Sequence, residues 1–245
     1  MDPWKQEIKS MRRFGPLSHA AEWTYRRFAI DRPVPYFSSR KTGQDRWVIE
    51  EIFGKKKRGY FVDVGAHNGV KGSNSYALEK YLYWDGICIE PCRGAFARMA
   101  QVRRCHCDDS VVAADFGEVD FYPNERAAKI IADVRSYVPD NPAVAVERRK
   151  AAPLAAILEK YNAPKTIDYL SLDTEGSEFA ILSRFPFGRY QFRAVTVEHH
   201  RDTALRAKLR GLLEANEYIF IRASLDPRRP EKLGIDDFYL HRSLA

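Results

Sequence analysis

Apolar and polar positions change period along this chain. From Tyr60 onward, short apolar runs alternate with stretches whose apolar residues recur at helical spacing. The runs predict strands opening at YFVDV, then over Ile87–Glu90, Cys105–Ala113, Ile167–Leu172, Ala194–Val197, Tyr218–Arg222 and Asp237–His241. The helical stretches fall at Ser73–Trp84, Phe96–Val102, Pro153–Tyr161, where proline fits a first turn, and Thr203–Ala215. Strands that alternate with helices pack as a parallel sheet covered on both faces, so the pattern predicts a doubly wound α/β fold. Only the loop from Ala223 to Ile235 separates the last two strands, which implies an antiparallel final pair.

The remaining segments are less regular. FGEVDFY at Phe116–Tyr122 alternates like an exposed strand, whereas Pro123–Lys150 shows no convincing period and carries Pro139 and Pro142. It reads as a long insertion lying over the site, since loops of that length are usually functional or mobile. Upstream, Trp47, Val48 and Ile52 place a helix over Gly43–Phe53, and a cationic run, Lys55 to Arg58, follows it as a solvated loop. Residues 1–42 interleave Arg12, Arg13, Arg26 and Arg27 with Phe14, Trp23, Tyr25 and Phe28. They read as a basic helical extension, ended by Pro33 and Pro35, ahead of a main domain over 43–245. Extension and insertion together are expected to form the acceptor side.

With 245 residues, 45% of them hydrophobic, the chain can bury one sizeable core. No apolar run approaches the roughly 20 residues that span a bilayer, and MDPWKQEIKSMRRF lacks a signal-peptide core, so a soluble, cytoplasmic protein is expected. The net charge of +7 favours acidic partners: nucleic acid, anionic glycolipid or a phosphorylated sugar. Cys88, Cys92, Cys105 and Cys107 are spaced unlike paired C-x-x-C zinc ligands and read as reduced thiols rather than a disulfide or zinc site.

The chemistry concentrates at one junction. YFVDVGAHNG runs from strand into a glycine turn, and the next strand, GICIEP, ends in Glu90. A carboxylate at that tip can accept two ribose hydroxyls, while Gly65 turns the backbone sharply and Gly69 lets the following helix start close to a ligand. The spacing Asp63-x-Gly65-x-x-x-Gly69 lacks the G-x-G-x-x-G that brings a backbone against a pyrophosphate. A phosphate-free nucleoside cofactor with a cationic sulfonium, S-adenosylmethionine, suits an acidic turn better than a dinucleotide.

Four blocks together, FVDVGAHNGVKGSNSYALEKYLYWDGICIEP, FGEVDFY, IDYLSLDTEGSEFAIL and VTVEHH, resemble the FkbM-type branch of class I S-adenosylmethionine-dependent methyltransferases over Gly43 to His241. The resemblance implies a seven-stranded Rossmann-like sheet and O-methyl transfer to a hydroxyl of a saccharide, glycan or polyketide. Position at the carboxyl ends of the strands then assigns roles. Asp63, Gly65, Ala66 and Gly69 would wrap the methionine moiety, and Ser73, Asn74 and Ser75 would bind its carboxylate or simply cap a helix. Asp109 and Ser110 would read the adenine, and by analogy Gln44 would reach the cofactor. Asp173, Glu198 and His199 fall at two strand ends facing the methyl group, with Asp173 also near the cofactor. His199 or Asp173 would accept the hydroxyl proton; alternatively a divalent ion, Mg2+ for example, held by Asp173 and Glu198 would acidify that hydroxyl. Glu178 and His200 read as capping or packing residues.

Two other functions stay open on sequence. A nucleic-acid methyltransferase fits the basic charge but lacks an Asn/Asp-Pro-Pro-aromatic motif, since the relevant strand ends in DTEG. A non-catalytic scaffold that has kept the fold is the other.

Overall fold

A computed structural model describes residues 34–38, 43–125, 128–225 and 233–244. The chain divides into two compact units, Met1–Pro35 and Tyr36–Ala245. The basic extension expected before Pro33 lies outside the described residues.

In the second unit, helix α1 (Gln44–Arg46) runs on as a π-helical stretch, Trp47–Ile52, instead of the uniform α-helix the spacing predicts. Then follow β1 (Tyr60–Val64), α2 (Tyr76–Leu82), β2 (Asp85–Ile89), α3 (Arg93–Val102), β3 (His106–Asp108), β4 (Val111–Ala113), β5 (Gly117–Tyr122), β6 (Lys129–Ile131) and β7 (Glu147–Pro153). The chain continues through α4 (Leu154–Lys160), β8 (Thr166–Leu172), α5 (Glu178–Ser183), β9 (Gln191–Glu198), α6 (Thr203–Ala215), β10 (Tyr218–Leu225) and β11 (Leu233–His241).

Seven strands form one sheet in the order β10-β11-β9-β8-β1-β2-β3. β1, β2, β3, β8 and β9 pair in parallel, and β11 is antiparallel to both β9 and β10. This is the doubly wound sheet with an antiparallel last strand that the pattern and the resemblance lead one to expect. Strand order reverses between β1 and β8, the place where such sheets open a ligand crevice.

Central strands are buried on both faces, one face apolar and the other carrying buried Asp63, Ser171 and Thr196. Val62, Val64, Ile87, Ile89, Leu170, Leu172, Val195 and Val197 are buried with Leu154, Ile157 and Leu158 of α4 and Leu209 and Leu213 of α6. Each such side chain contributes about 1.5–3 kcal/mol on burial. Helix α6 starts where it does because Asp202 accepts hydrogen bonds from the N–H groups of Ala204 and Leu205, both at 2.9 Å.

Two readings need correction. The region Cys105–Ala113 is not one strand. β3 ends at Asp108 in the main sheet, and β4 pairs with β7 in a separate four-stranded sheet of order β4-β7-β5-β6. Within the segment 123–150, read as aperiodic, β6 and the first residues of β7 pair with β5. Their sequences, KII and ERRKAAP, are short or charged because the sheet is half exposed, so no alternation betrays them. Pro153 accordingly closes β7 and stands before α4 instead of inside it. Among the described residues, no helix is long and apolar enough to cross a membrane.

Candidate active site

A cleft of about 190 Å³ opens at the carboxyl edge of β1, β2 and β8, walled on the other side by the small sheet. Gly65, His67, Ile89, Glu90, Asp173, Thr174 and Glu175 line it from the main sheet, and Val111, Val112, Phe121, Lys129 and Ile130 line it from the small one. Of the residues singled out from sequence, Gly65, Glu90 and Asp173 form its walls; the others stand around or beneath it.

Gly65 is held at φ 85°, and a Cβ placed there would fall 1.9 Å from the carbonyl oxygen of Asp173. The tips of β1 and β8 therefore touch through this glycine, and the Asp173 N–H completes the contact by donating to Val64 O at 3.0 Å. Glu90 is 6% exposed. Its two carboxylate oxygens accept from the N–H of Cys92 at 2.7 Å and of His67 at 2.8 Å. Burial raises its pKa, and those two N–H groups oppose the rise. The Cys92 thiol also reaches this carboxylate, whose roughly four lone-pair positions still leave room for a further donor from the cleft.

Beneath the turn lies a polar hub built on Arg103, which no residue pattern singles out. Its buried guanidinium donates to Gly69 O at 3.1 Å, Ser75 Oγ at 3.0 Å and Glu79 Oε2 at 2.5 Å. The Ser75 hydroxyl in turn donates to Asp63 at 2.5 Å. Asp63 is buried, which raises its pKa against the pull of Ser75 and Arg103. Asp63 and Ser75 thus brace the turn from below. Ser73 Oγ accepts from the N–H of Ser75 at 3.2 Å and of Tyr76 at 3.0 Å, the capping alternative, and Asn74 Nδ2 donates to Ser171 Oγ at 2.9 Å. Ala66 is buried in the turn itself.

At the tip of β3 the buried carboxylate is Asp108, which accepts from Lys160 Nζ at 2.8 Å and from the Ser110 N–H at 2.8 Å. Asp109 is exposed, and its carbonyl accepts from Arg149 at 2.9 Å. The four cysteines are free thiols, and Cys88 Sγ lies 3.6 Å from Cys105 Sγ.

A second group of side chains gathers at the tips of β8 and β9. Asp173 is the strongest charged influence on Glu198, and Asp236 pairs with Glu198 across the β9–β11 ladder. Burial first, and Asp173 next, push Glu198 far above the usual carboxylate range. The same two causes push Glu175 and Asp236 up to about 7. Gln44 donates to Asp236 Oδ1 at 3.1 Å, so it joins this acidic group instead of the cleft. Glu178 folds the loop that carries Glu175, accepting from the N–H of Thr174 at 2.7 Å and of Gly176 at 3.1 Å.

The two histidines after β9 exchange the places expected of them. His199 is fully buried: Nδ1 accepts from the Arg201 N–H at 3.2 Å and Nε2 faces Asp237 at 3.5 Å. A ring so enclosed cannot reach an acceptor hydroxyl. His200, expected only to pack, is exposed and points Nε2 to within 3.4 Å of Glu198 and 3.5 Å of Glu175. Its left-handed backbone, φ 51°, turns the side chain back over the strand tip, a feature no residue pattern announces.

The sheet order, with a cleft at its switch point, is that of a doubly wound, Rossmann-like α/β fold. The chain belongs to the FkbM methyltransferase family: the Methyltransferase FkbM domain matches residues 63–220. No curated protein matches the chain. Similar solved structures are distant. A putative RNA methyltransferase from Pyrococcus horikoshii is 13% identical with a TM-score of 0.41, covering 81% of this chain and 80% of its own. The precorrin-6y C5,15-methyltransferase of Geobacter metallireducens is 9% identical at 0.42, over 83% and 90%. A human methyltransferase 10 domain containing protein is 9% identical at 0.43, over 99% of both chains. At scores this low they bear on neither acceptor nor site.

Proposed function

We propose that this methyltransferase binds S-adenosylmethionine with its ribose on Glu90 and its methyl group toward Asp173, and transfers that methyl to a hydroxyl of a saccharide or glycoconjugate. The observation that carries the donor half is the Glu90 carboxylate, anchored by two N–H groups at the rim of a cleft that Asp173 also lines. Gly65 brings the backbone close to the methionine moiety, and the apolar Val111, Val112 and Phe121 suit an adenine face.

A wider groove of about 650 Å³ shares His67 and Glu125 with the cleft and adds Lys71, Gly72, Pro123, Asn124 and Val144. His67, Lys71 and Asn124 offer a polyhydroxylated acceptor hydrogen-bonding groups there, and Lys71, with the net charge of +7, favours an anionic one. Methyl transfer is an in-line displacement, so alignment of acceptor oxygen with sulfonium supplies most of the rate. Asp173 takes the hydroxyl proton as the O–C bond forms; with His199 enclosed, the carboxylate is the better placed base. Mass spectrometry of candidate glycans incubated with isotopically labelled S-adenosylmethionine tests this. A label on saccharide oxygen supports it, and a label on RNA alone would establish the second reading, to which the basic charge points.

A further inference from the structure

Glu175, Glu198 and His200 converge from two strand tips on one small space. His200 Nε2 lies 3.4 Å from Glu198 Oε2 and 3.5 Å from Glu175 Oε2, and the three ligand atoms all lie within 4.8 Å of one another. A point equidistant from atoms so spaced is roughly 2 Å from each, the bond length of small divalent ions to nitrogen and oxygen. Clustered acids alone would mean little, since they are common on surfaces. Here, however, the Glu198 side chain is 5% exposed, and its Oε2, the atom facing His200, is buried without a hydrogen-bond partner. A buried carboxylate oxygen needs a donor or a cation. Asp236 sits across the ladder from Glu198 and also leaves a buried oxygen, Oδ2, without a hydrogen-bond partner.

We propose that Glu175, Glu198 and His200 bind a divalent cation. The donor set differs from the Asp173–Glu198 pair that strand order alone suggests for Mg2+. Two carboxylates and one imidazole suit a first-row ion such as Mn2+ better than Mg2+, which prefers oxygen ligands and retained water. The loop that carries Glu175 is fixed for this by the Glu178 carboxylate. If the methyl-transfer reading above holds, the ion's open positions take two neighbouring oxygens of the acceptor, as in a sugar vicinal diol, beside the methyl group. The binding itself does not rest on that reading.

The test titrates Mn2+ into the full chain, with and without S-adenosylhomocysteine, by calorimetry and by the electron paramagnetic resonance of the free ion. The wild-type chain should take up Mn2+ saturably and gain thermal stability as it does. Glu198→Gln and His200→Asn, the latter chosen because asparagine tolerates the left-handed backbone, should each weaken binding at least roughly tenfold while melting normally without the ion. Glu118→Gln, an exposed acid elsewhere, should bind like wild type. Absence of saturable uptake, or equal affinity in wild type and Glu198→Gln, overturns the proposal. Nucleoside binding without Mn2+ binding overturns the cation site and spares the donor reading; Mn2+ binding without nucleoside binding does the reverse.

Discussion

The carboxylate of Glu90 accepts the backbone N–H of His67 at 2.8 Å, across the gap between the tip of β2 and the turn after β1. One side chain thus fixes the shape of the turn after β1. Under the proposed donor reading, cofactor recognition and loop shape would hang on the same two oxygens.

Replacing Glu90 by alanine should therefore weaken S-adenosylmethionine binding by at least about tenfold, since charge-assisted hydrogen bonds are worth roughly 1.5–3 kcal/mol each. Calorimetry on the folded variant checks this, and an unchanged dissociation constant would remove Glu90 from the cofactor site.

Gly65→Ala should be costlier than its size suggests. The new methyl meets the Asp173 carbonyl, and φ 85° is strained for any other residue. A loss of more than about 2 kcal/mol in urea unfolding, together with lost nucleoside binding, is expected. Wild-type stability in this variant would show that the two strand tips are not in contact.

Asp173→Asn should lower turnover about 10²–10⁴-fold with donor affinity nearly intact, if Asp173 takes the proton. His199→Ala should behave differently: it empties a fully buried site beside Asp237, so its main effect is a lower melting temperature. A His199 variant that melts normally yet turns over nothing would reverse these roles.

Arg103→Met should destabilise the chain by about 3–5 kcal/mol, because it leaves the Glu79 carboxylate buried without its partner. Thermal and urea unfolding measure it. The same variant should loosen Gly69 and Ser75 and so weaken donor binding as well.

Acid stability offers a further check at Asp108. Burial acts to raise its pKa, but Lys160 and Ser110 outweigh it and lower the folded value. Its contribution is thus complete above the unfolded aspartate pKa of about 3.9 and is lost as pH falls through the folded value. Urea midpoints of Asp108→Asn should therefore lose less than wild type between pH 6 and about pH 3.

The doubly wound core was legible because its strands are buried on both faces and its helices on one, and both periods survive in the letters. The placement of Gly65 and Glu90 was legible for a related reason: both occupy strand tips, and tips follow from strand ends. Arg103 and His200 escaped. Arg103 acts from the end of α3 through contacts some thirty residues away in sequence, and His200 depends on a left-handed backbone that the pair His199-His200 does not signal. Glu178 was legible as a cap because it follows DTEGS within one turn of the loop it closes.

The chain leaves the main sheet at Asp108 and enters the small one at Val111, so the wall opposite the cofactor strands has its own hydrogen-bond ladder and its own core of Cys92, Ala95, Val111, Phe121 and Ala151. Between β6 and β7, residues 132–146 are tied to the small sheet through Tyr122, whose hydroxyl hydrogen-bonds the Asn141 backbone and whose ring meets Tyr137 edge-on. Natural selection can lengthen, shorten or recharge that span without touching a single donor contact. A descendant of this chain could change the molecule it modifies by exchanging one hairpin.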